Sequence, residues 1–585
     1  MKQQLHELFT QAIDKLKSDA VIPTDHEVLL QFERARNKEH GDFACNVAMT
    51  LAKAAKRNPR DIAELIVAAL PSDNLITQVD VAGPGFINLF LAQDTRSGVV
   101  SAVLEQAERY GVAEPNSKQK VLVEFVSANP TGPLHVGHGR GAAYGDALAR
   151  LLSAAGNTVE REYYVNDAGR QMDILATSVW IRYLQAIAVD VPLPDNCYKG
   201  DYIVEMGEEL AQKHADNYKV SAELFAKTRA NLEEEPALDA TIALAKSSLG
   251  NEGFDVFFSR ALDSILADIK DDLSQFGVDY DTWFSERSLF VNTEPNQSKI
   301  FKAIDKLKAS GDVVERGGAW WFLSTNYGDE KDRVVVRENG QPTYFASDIA
   351  YHQDKLDRGF DLAINIWGSD HHGYIPRVKA SLQALGLDPE KLKVLLVQFA
   401  VLYRSGEKLA MTTRGGEFVT LRSLREEIGG SDAARFFYAQ RKSEQHMDFD
   451  LDLAKSQSNE NPMYYVQYAH ARICRVFRTA EERNLDVSIT DADLGKLGSD
   501  HENSLMTLIQ RFPEIVERAA TSYEPHQITY FLRDLATAFH SYYNATKILD
   551  AEPDARDAML ALCQATRQVL SNGLTIIGVG APESM

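Results

Sequence analysis

The chain has 585 residues, 44% of them hydrophobic and 25% charged, a composition that excludes disordered, collagen-like and membrane-embedded chains. At about 100 to 200 residues per domain, several domains are expected. The formal net charge of −22 gives no support to a histone-like binder of polyanions, although a local basic stripe would suffice for nucleic-acid binding.

Residues 1–115 are predicted to form a small α/β domain. Leu5, Phe9 and Ile13 recur at the spacing of one helix face, and the turn-rich segment 81–90 lies among strand-like residues. The polar residues 114–120 are typical of a linker.

Residues 116–400 are predicted to form a Rossmann-type α/β domain. A buried strand at 121–126 leads through a Pro/Gly loop into a helix at 139–154, which is the opening unit of a doubly wound sheet. Long acidic helices from about 165 to 310 indicate an inserted subdomain. The strand signals that follow this insertion cover 320–323, 333–337, 362–367 and 394–399.

The last part of the chain is predicted to be all-α. Residues 401–451 are expected to form a loop and a connecting stem. Residues 452–585 contain almost no strand signal, and Tyr465, Tyr468 and Ile473 recur at a heptad-like spacing, which favours a helical bundle.

The sharpest local feature is the segment Ala128–His138, which we call the histidine loop. His135 and His138 are three residues apart and share one face of a helix start, where free N–H groups favour polyphosphates. Gly137 lets a flat nucleobase approach the backbone. The loop therefore predicts an ATP site, with two surface or core histidines and a zinc pair as the alternatives.

Acidic and polar groups near predicted strand ends suggest a second site. Glu124 lies in the first strand and Asn129 just after it, while Tyr344 and Asp348 are four apart on a predicted helix at 345–353. Two carboxylates with an amide and a hydroxyl suit a planar guanidinium. The alternative is that these are ordinary solvated acids.

Two further loops carry polar groups. Gly368–Gly373 follows a predicted parallel strand, where Asp370 could accept from ribose hydroxyls and His371 or His372 could face a substrate; a solvated turn is the alternative. Gly406–Gly416, which we call the cationic loop, carries Lys408 and Arg414 and could close on a triphosphate, although such loops are commonly plain surface.

The cysteines and the apolar runs indicate the kind of protein and its cellular compartment. The four cysteines are far apart and form no CxxC pair, so no structural zinc and no disulfide framework are expected. The longest apolar runs are about half of a membrane span. A cytoplasmic protein without membrane contacts is therefore predicted.

Together these segments resemble a class I aminoacyl-tRNA synthetase, specifically a bacterial-type arginyl-tRNA synthetase. The similarity extends over nearly the full length. The matching segments are His40–Ala44, Gly83–Asn88, Val123–Ala143, Arg333–Tyr351, Trp367–Tyr374 and Tyr465–Arg472.

The resemblance implies a domain plan and a two-step reaction. Residues 1–115 would read the tRNA D-loop, 116–400 would be the catalytic domain and 452–585 would bind the anticodon. ATP, with Mg²⁺, and arginine would form arginyl-adenylate and pyrophosphate, and the terminal ribose of tRNA(Arg) would take the arginyl group. A monomer is expected, and activation usually needs bound tRNA in this family.

The resemblance also assigns roles by position. The arginine-binding positions are Glu124, Asn129, Tyr344, Asp348 and His372. The ATP-binding positions are Pro130, Gly132, His135, Gly137, His138, Asp370 and Met411. The tRNA-binding positions are Asn88 and Gln93.

The KMSK signature of the family departs from its usual form here. Ala410–Arg414 aligns with KMSKR and lacks both lysines, and Gly132 stands where some relatives carry a replacement lysine. Lys408, Arg414 and Arg140 are the candidates for the missing positive charge, with Lys408 and Arg414 taken as catalytic.

The helical region gives mixed signals for RNA. Residues 452–585 hold 12 Lys and Arg against 18 Asp and Glu, so the region is not basic overall. Arg472 and Arg475 nevertheless lie near Tyr468, and arginines suit phosphates while tyrosines suit unstacked bases. An ordinary bundle helix with core tyrosines is the alternative.

Three rival functions follow from the same residues. An HxGH-type adenylyltransferase acting on a small molecule would explain the histidine loop but leave both terminal regions without a role. A tRNA-binding protein with a decayed synthetase site would explain the altered KMSK signature. A synthetase for another amino acid, above all lysine, would fit an acidic pocket.

Overall fold

The computed structural model describes residues 2–35, 38–290, 298–409 and 419–585, without the side chains of 2, 3, 38, 93 and 94. The chain separates into two compact units. Unit 1 comprises residues 1–110, 473–511 and 537–569, and unit 2 comprises 111–472, 512–536 and 570–585.

The N-terminal part of unit 1 is an α/β domain, as predicted. Its elements are, in chain order, α1 (Lys2–Ser18), β1 (Phe32–Arg34), β2 (Phe43–Cys45), α2 (Val47–Ala55), α3 (Pro59–Ala69), β3 (Ile76–Ala82), β4 (Phe86–Leu91) and α4 (Gln93–Gln106). The strands form an antiparallel sheet in the order β1-β2-β4-β3. The apolar face of α1, including Leu5, Phe9 and Ile13, is buried in the core.

Unit 2 contains the predicted Rossmann-type region. Its elements up to residue 455 are β5 (Lys120–Glu124), α5 (Val136–Ala154), β6 (Thr158–Val165), α6 (Arg170–Ala186), α7 (Asp201–His214), α8 (Ala222–Arg229), α9 (Glu234–Gln275), β7 (Thr282–Ser285), α10 (Arg287–Phe290), α11 (Lys299–Ala309), β8 (Val313–Arg316), β9 (Ala319–Phe322), β10 (Arg333–Val336), α12 (Tyr344–Asp357), β11 (Leu362–Gly368), α13 (Ile375–Ala384), β12 (Leu392–Val397), β13 (Ala400–Arg404), β14 (Glu407–Lys408), α14 (Leu421–Ile428), α15 (Asp432–Ala439), β15 (Met447–Asp450) and α16 (Leu451–Lys455).

A five-stranded sheet forms the centre of this region, in the order β12-β11-β5-β6-β7. All its pairings are parallel. Such strands are buried on both faces, so their sequences are nearly continuous apolar runs. For this reason β5 and β11 could be predicted from the sequence. The strand order reverses between β5 and β11, and ligands bind outside the carboxyl ends of strands at such a point.

The sequence prediction between 165 and 310 was incomplete. Helices α6 to α9 occupy much of this range, as predicted, and α9 bends at Gly250, where φ is +63°. The strand β7 was missed, although it pairs with β6 in the central sheet. Four residues, Thr282–Ser285, are too short a run to be recognised as a strand without its neighbour.

The regular elements in the remaining described residues are all helices, which confirms the predicted all-α C-terminal region. The helices are α17 (Pro462–Glu482), α18 (Asp500–Ser522), α19 (His526–Ala545) and α20 (Pro553–Ile576). Within the described ranges, none of the helices combines the length and the apolar character that a bilayer crossing requires.

Candidate active site

Two of the predicted loops meet at the carboxyl edge of the central sheet. The histidine loop follows β5, and a 3₁₀ turn at Ser369–Tyr374 follows the adjacent strand β11. Ligands of open α/β sheets bind at this position, between strands whose connections run in opposite directions. The pairing of β5 with β11 as neighbours in the sheet, which the sequence did not show, brings the two loops together.

The two histidines of the loop form one stacked pair at the start of α5. His135 is the N-cap, and its Nδ1 accepts a hydrogen bond of 3.1 Å from the Gly137 N–H. The rings of His135 and His138 lie 3.7 Å apart between centroids. Gly137 is required here, because a Cβ at that residue would lie 2.8 Å from the His135 ring.

Both imidazoles are neutral at pH 7. Burial, with a smaller contribution from His135, lowers the pKa of His138 to about 3, and burial also lowers the pKa of His135. Since His135 accepts at Nδ1, its proton is on Nε2. The buried Nδ1 of His138 has no partner among the described residues. The stacked pair therefore offers neutral imidazoles rather than cations.

Residues 419–421, which follow the cationic loop in the chain, pair with the histidine loop through their backbone. Val136 N donates to Val419 O at 2.8 Å, and Leu421 N donates to Leu134 O at 2.8 Å. At the other end, Lys408 is exposed and pairs with Tyr403 in the β13–β14 hairpin. The predicted ATP contact Met411 and the predicted catalytic Arg414 lie outside the described residues.

Arg140 is not available to replace a KMSK lysine. It is 1% exposed, and its guanidinium donates to three backbone carbonyls. Those carbonyls belong to Gln398 (2.9 Å), Lys442 (2.8 Å) and Gln445 (2.7 Å). A guanidinium occupied in this way has a structural role, so this sequence-based candidate is withdrawn.

The two predicted guanidinium-binding carboxylates lie near each other. Glu124, at the end of β5, is 6% exposed, and its Oε1 accepts from Ser127 Oγ at 3.0 Å. Asp348 on α12 accepts from the Tyr374 hydroxyl. Burial and the Glu124 charge raise the pKa of Asp348 to about 7, although the Tyr374 hydrogen bond opposes this.

Two more carboxylates belong to this pocket and were missed in the sequence. Glu286 follows β7, is 3% exposed and has an Oε2 without a partner among the described residues. Burial, with Asp348 and Asp167, raises the pKa of Glu286 to about 7. Asp167 follows β6 and accepts from Ser285 Oγ at 2.6 Å. Both residues lie just after the end of a strand, which is a position typical of ligand-binding residues. For Glu286 this position can be recognised only when β7 has been identified.

The loop between these groups has an unusual backbone. Val126 and Ser127 have φ values of +66° and +42°, a region that β-branched residues rarely adopt. This conformation places the Ser127 hydroxyl between Glu124 and the Tyr164 N–H, which donates to it at 3.1 Å. Strained residues of this kind cluster at functional sites.

The other predicted ligand contacts are placed around this edge. Asn129 is exposed, and its side-chain oxygen accepts from Asn166 at 2.9 Å. Tyr344 begins α12 and is 56% exposed. The residues Asp370 and His372 are both exposed in the 3₁₀ turn.

The two remaining residues predicted for ATP differ in their surroundings. Pro130 is buried, and a Cβ at Gly132 would lie 3.2 Å from the Tyr202 hydroxyl oxygen. The aromatic ring of Phe399, which sequence reasoning missed, is 47% exposed. It lies 3.3 Å from the position a Cβ of Gly137 would take.

The predicted tRNA contacts lie elsewhere. In unit 1, Asn88 is 6% exposed within β4, Gln93 begins α4 with a side chain outside the described ones, and Arg475 is exposed. In unit 2, Arg472 donates to the Tyr468 hydroxyl at 3.0 Å and lies 4.5 Å from the centroid of that ring. Their roles remain predictions.

Three family models match successive parts of the chain. They are "Arginyl tRNA synthetase N terminal domain" over residues 3–91, "tRNA synthetases class I (R), catalytic domain" over 99–450, and "DALR anticodon binding domain" over 466–585. The parallel sheet with its histidine loop, together with the match over 99–450, defines a class I tRNA synthetase.

Individual relatives agree over the whole length. The chain is 55% identical to the arginine--tRNA ligase of Thioalkalivibrio sulfidiphilus and 51% identical to that of Legionella pneumophila (strain Paris), in each case over 100% of both chains. The chain therefore belongs to the arginyl-tRNA synthetase family, and as a member of it is an arginine–tRNA ligase.

Solved structures show the same fold. A Campylobacter jejuni chain described as an arginyl-tRNA synthetase matches with a TM-score of 0.72 and 32% identity, over 85% of this chain and 100% of that one. The Thermus thermophilus arginyl-tRNA synthetase matches with a TM-score of 0.72 over 100% of both chains; at 24% identity this likeness concerns the fold.

Proposed function

We propose that this arginine–tRNA ligase carries out both of its steps at the carboxyl edge of the central sheet. In the first step, the arginine carboxylate attacks the α-phosphorus of ATP, forming arginyl-adenylate and releasing pyrophosphate. In the second, a ribose hydroxyl of the 3′-terminal adenosine of tRNA(Arg) takes the arginyl group and AMP leaves. The main support is that β5 ends in Glu124 and leads into His135, so acidic and phosphate-binding groups flank one strand end.

The acidic pocket is proposed to bind the arginine side chain. Glu124 and Asp348 would accept from the guanidinium, whose fork of donors matches carboxylate geometry. Asn129, Tyr344 and His372 would contact the rest of the substrate. Since the pKa of Asp348 is raised to about 7 by burial and Glu124, a cation entering the pocket would favour its ionised form.

Glu286 is proposed to support the same pocket. Its side chain is buried, and its charge is coupled to that of Asp348. A third acid near one guanidinium raises the selectivity for a cationic substrate but also adds repulsion in the empty site.

The histidine loop is proposed to bind ATP. The neutral imidazoles of His135 and His138 would hydrogen-bond the phosphates where charge grows in the transition state. Gly137 would leave room for the adenine, and the exposed ring of Phe399 offers it a stacking face. Pro130, Gly132, Asp370 and Met411 complete the proposed ATP contacts.

The pyrophosphate that leaves must be neutralised. Mg²⁺ is proposed to enter with ATP, where it would neutralise charge on the phosphate oxygens, since it is commonly held by substrate phosphates rather than by an all-protein cage. No group of three or more potential metal ligands is gathered among the described residues. On the protein side, Lys408 and Arg414 are proposed to supply the cations that the altered KMSK signature lacks.

The tRNA is proposed to contact both units. Asn88 and Gln93 would meet the D-loop, while Tyr468, Arg472 and Arg475 would meet the anticodon region. The stacking of Arg472 on the Tyr468 ring supports a surface suited to RNA bases and phosphates. We further propose a cytoplasmic monomer, in line with four free cysteines; sedimentation analysis would test the oligomeric state.

A charging assay tests the proposed substrate. Unfractionated tRNA should accept arginine and none of the other amino acids, lysine included. Lysine charging would instead show that the acidic pocket recognises an ammonium. No charging at high enzyme concentration would favour a tRNA-binding protein with a decayed site.

Pyrophosphate exchange with and without tRNA tests the coupling of the two steps. Arginine-dependent exchange that rises when tRNA is added would support activation with tRNA bound. Full exchange without tRNA, with no transfer to tRNA, would favour the small-molecule adenylyltransferase instead.

A further inference from the structure

A buried ammonium lies behind Glu124. Lys355 is 0% exposed, and its Nζ donates to Glu124 Oε2 and, at 2.6 Å, to Asn365 Oδ1. The same ammonium lies 4.2 Å from the centroid of the Tyr351 ring. An ammonium has three N–H donors and no acceptor, so these neighbours match its donors in number. A lysine placed in this way is unavailable to solvent or to tRNA.

The hydrogen bonds continue from Lys355 to the backbone of Asp348. Asn365 uses its oxygen for Lys355, so its NH₂ donates to His352 Nε2 at 2.8 Å. His352 then carries its proton on Nδ1 and donates to the Asp348 carbonyl at 2.7 Å. Burial lowers the pKa of His352 to about 3, which is consistent with this neutral form. The chain of hydrogen bonds joins the Glu124 carboxylate to the turn of α12 that carries Asp348.

From this geometry we infer that Lys355 is a positioning residue for the substrate arginine: its ammonium holds the Glu124 carboxylate in place, while Asn365 and His352 fix Lys355 relative to Asp348. The inference rests on the arginine-binding role proposed for Glu124 and Asp348. It adds a residue that acts through Glu124 without touching the substrate.

The charges of the pocket explain why such a residue is needed. Burial, and to a smaller extent the charge of Glu124, raise the pKa of Asp348, and a single guanidinium brings only one positive charge to the two carboxylates. The buried ammonium of Lys355 supplies the second. Without it, Glu124 would be a buried acid with only the Ser127 hydroxyl as a partner, and its protonated form would be favoured.

Other groups near Glu124 have to be considered in any pH experiment. The groups on α12 are Asp348, Tyr351 and Lys355. Neighbouring segments contribute Tyr164 and Tyr280. Glu286 and Arg377 interact with Asp348 and so affect the site indirectly. Burial raises the pKa of all three tyrosines above the ordinary value, so they stay neutral between pH 6 and 8.5. Asp348 and Glu286 titrate near pH 7 in the wild type as well. The Lys355 charge also lowers the pKa of Asp348, so the double-mutant cycle below is needed to separate Glu124 from Asp348.

The first experiment is Lys355→Met, which keeps the length of the side chain and removes its charge. The KM for arginine in pyrophosphate exchange with tRNA present should rise about tenfold or more at pH 7, the effect of about one pKa unit. The KM for ATP and kcat should change by less than about threefold. The ratio of variant to wild-type KM for arginine should fall from pH 6 to pH 8.5, as Glu124 regains its charge.

Arg358→Met is the matched control. Arg358 is the C-cap of α12, three residues beyond Lys355, and pairs with Glu162 at 2.6 Å rather than with Glu124. Its removal tests general damage to the helix and should leave the pH dependence of the KM for arginine as in the wild type. Equal changes in the KM for arginine and for ATP in Lys355→Met, or a pH profile like that of the control, would overturn the inference.

A double-mutant cycle separates the inference from the proposed function. Glu124→Gln alone should raise the KM for arginine; if it does not, the proposed role of Glu124 is wrong. On the Glu124→Gln background, Lys355→Met should add less than about threefold, because a residue that acts through Glu124 has nothing left to act on. A full additional effect would show that Lys355 acts by another route.

The double variant also keeps the inference testable if Lys355→Met alone does not fold. With Glu124 replaced by glutamine, the loss of Lys355 no longer leaves the Glu124 carboxylate without its counter-ion, so the double variant should fold and can be compared with Glu124→Gln alone. Equal KM values for arginine would support the inference, and a higher value in the double variant would refute it.

Discussion

Replacement of Asp348 by asparagine tests the acidic pocket most directly. The amide has almost the shape of the carboxylate and can still accept from the Tyr374 hydroxyl, which now bonds the carboxylate. What is lost is one negative charge opposite the substrate guanidinium. The KM for arginine should therefore rise much more than the KM for ATP.

The size of the effect follows from the charge state of Asp348. Removing one partner of a buried charge pair costs about 2–5 kcal/mol; because the amide keeps its neighbours, we take the lower end, which is about thirtyfold in KM. With a pKa of about 7, only about half of the wild-type carboxylate is ionised at pH 7, which reduces the effect to about fifteenfold. At pH 8 nearly the full thirtyfold should be seen.

The assay is pyrophosphate exchange with tRNA present, at pH 6, 7 and 8, with both substrates varied. Thermal stability is the control. The folded-state pKa of Asp348 is raised from 3.8 to about 7, so the ionised group destabilises the fold, and this cost develops from about pH 4 to pH 7. The variant should be equally or more heat-stable at pH 8. An equal rise of both KM values would refute the assigned role of Asp348.

Four further outcomes are expected. His135→Ala combined with His138→Ala should lower the rate of adenylate formation at least about a hundredfold, measured by single-turnover quench; an unchanged rate would remove the basis of the ATP site. Gly137→Ala places a Cβ 2.8 Å from the His135 ring and should raise the KM for ATP about tenfold or more with arginine binding intact, as calorimetry with arginine would show. Glu286→Gln removes an acid whose pKa is raised to about 7, so the gain in melting temperature should be larger at pH 8 than at pH 5; a gain independent of pH would contradict the charge argument. Arg140→Met leaves three backbone carbonyls without their donor and should lower the free energy of unfolding in urea by about 3 kcal/mol or more; an unchanged midpoint would return Arg140 to the list of candidate catalytic cations.

The histidine loop, for which we propose ATP binding, could be located in the sequence because its residues are close in the chain. A buried strand, a Pro/Gly loop, His135 and His138 and a helix follow one another within about thirty residues, and helix starts bind phosphate for local reasons. The predicted strand at 121–126 became β5 at Lys120–Glu124, and the predicted helix at 139–154 became α5 at Val136–Ala154. These differences are the usual uncertainty of element ends.

The arginine pocket could be predicted only in part. Tyr344 and Asp348 share a helix and were found by their spacing, whereas Glu286, Asp167 and Tyr374 come from separate segments. Each of the latter is an unremarkable polar residue in its local sequence. The short strand β7, which the sequence signal missed, is what brings Glu286 to the sheet edge.

The sequence by itself determined the kind of domains, the position of the histidine loop and the family, because helix starts, buried strands and near-neighbour motifs depend on residues close together in the chain. The tertiary structure alone decided that Arg140 is structural and that Lys355, Asn365 and His352 connect Glu124 to Asp348. Those roles depend on the parallel pairing of β5 with β11 and on burial, which lowers the local dielectric and makes each charge depend on partners far away in sequence.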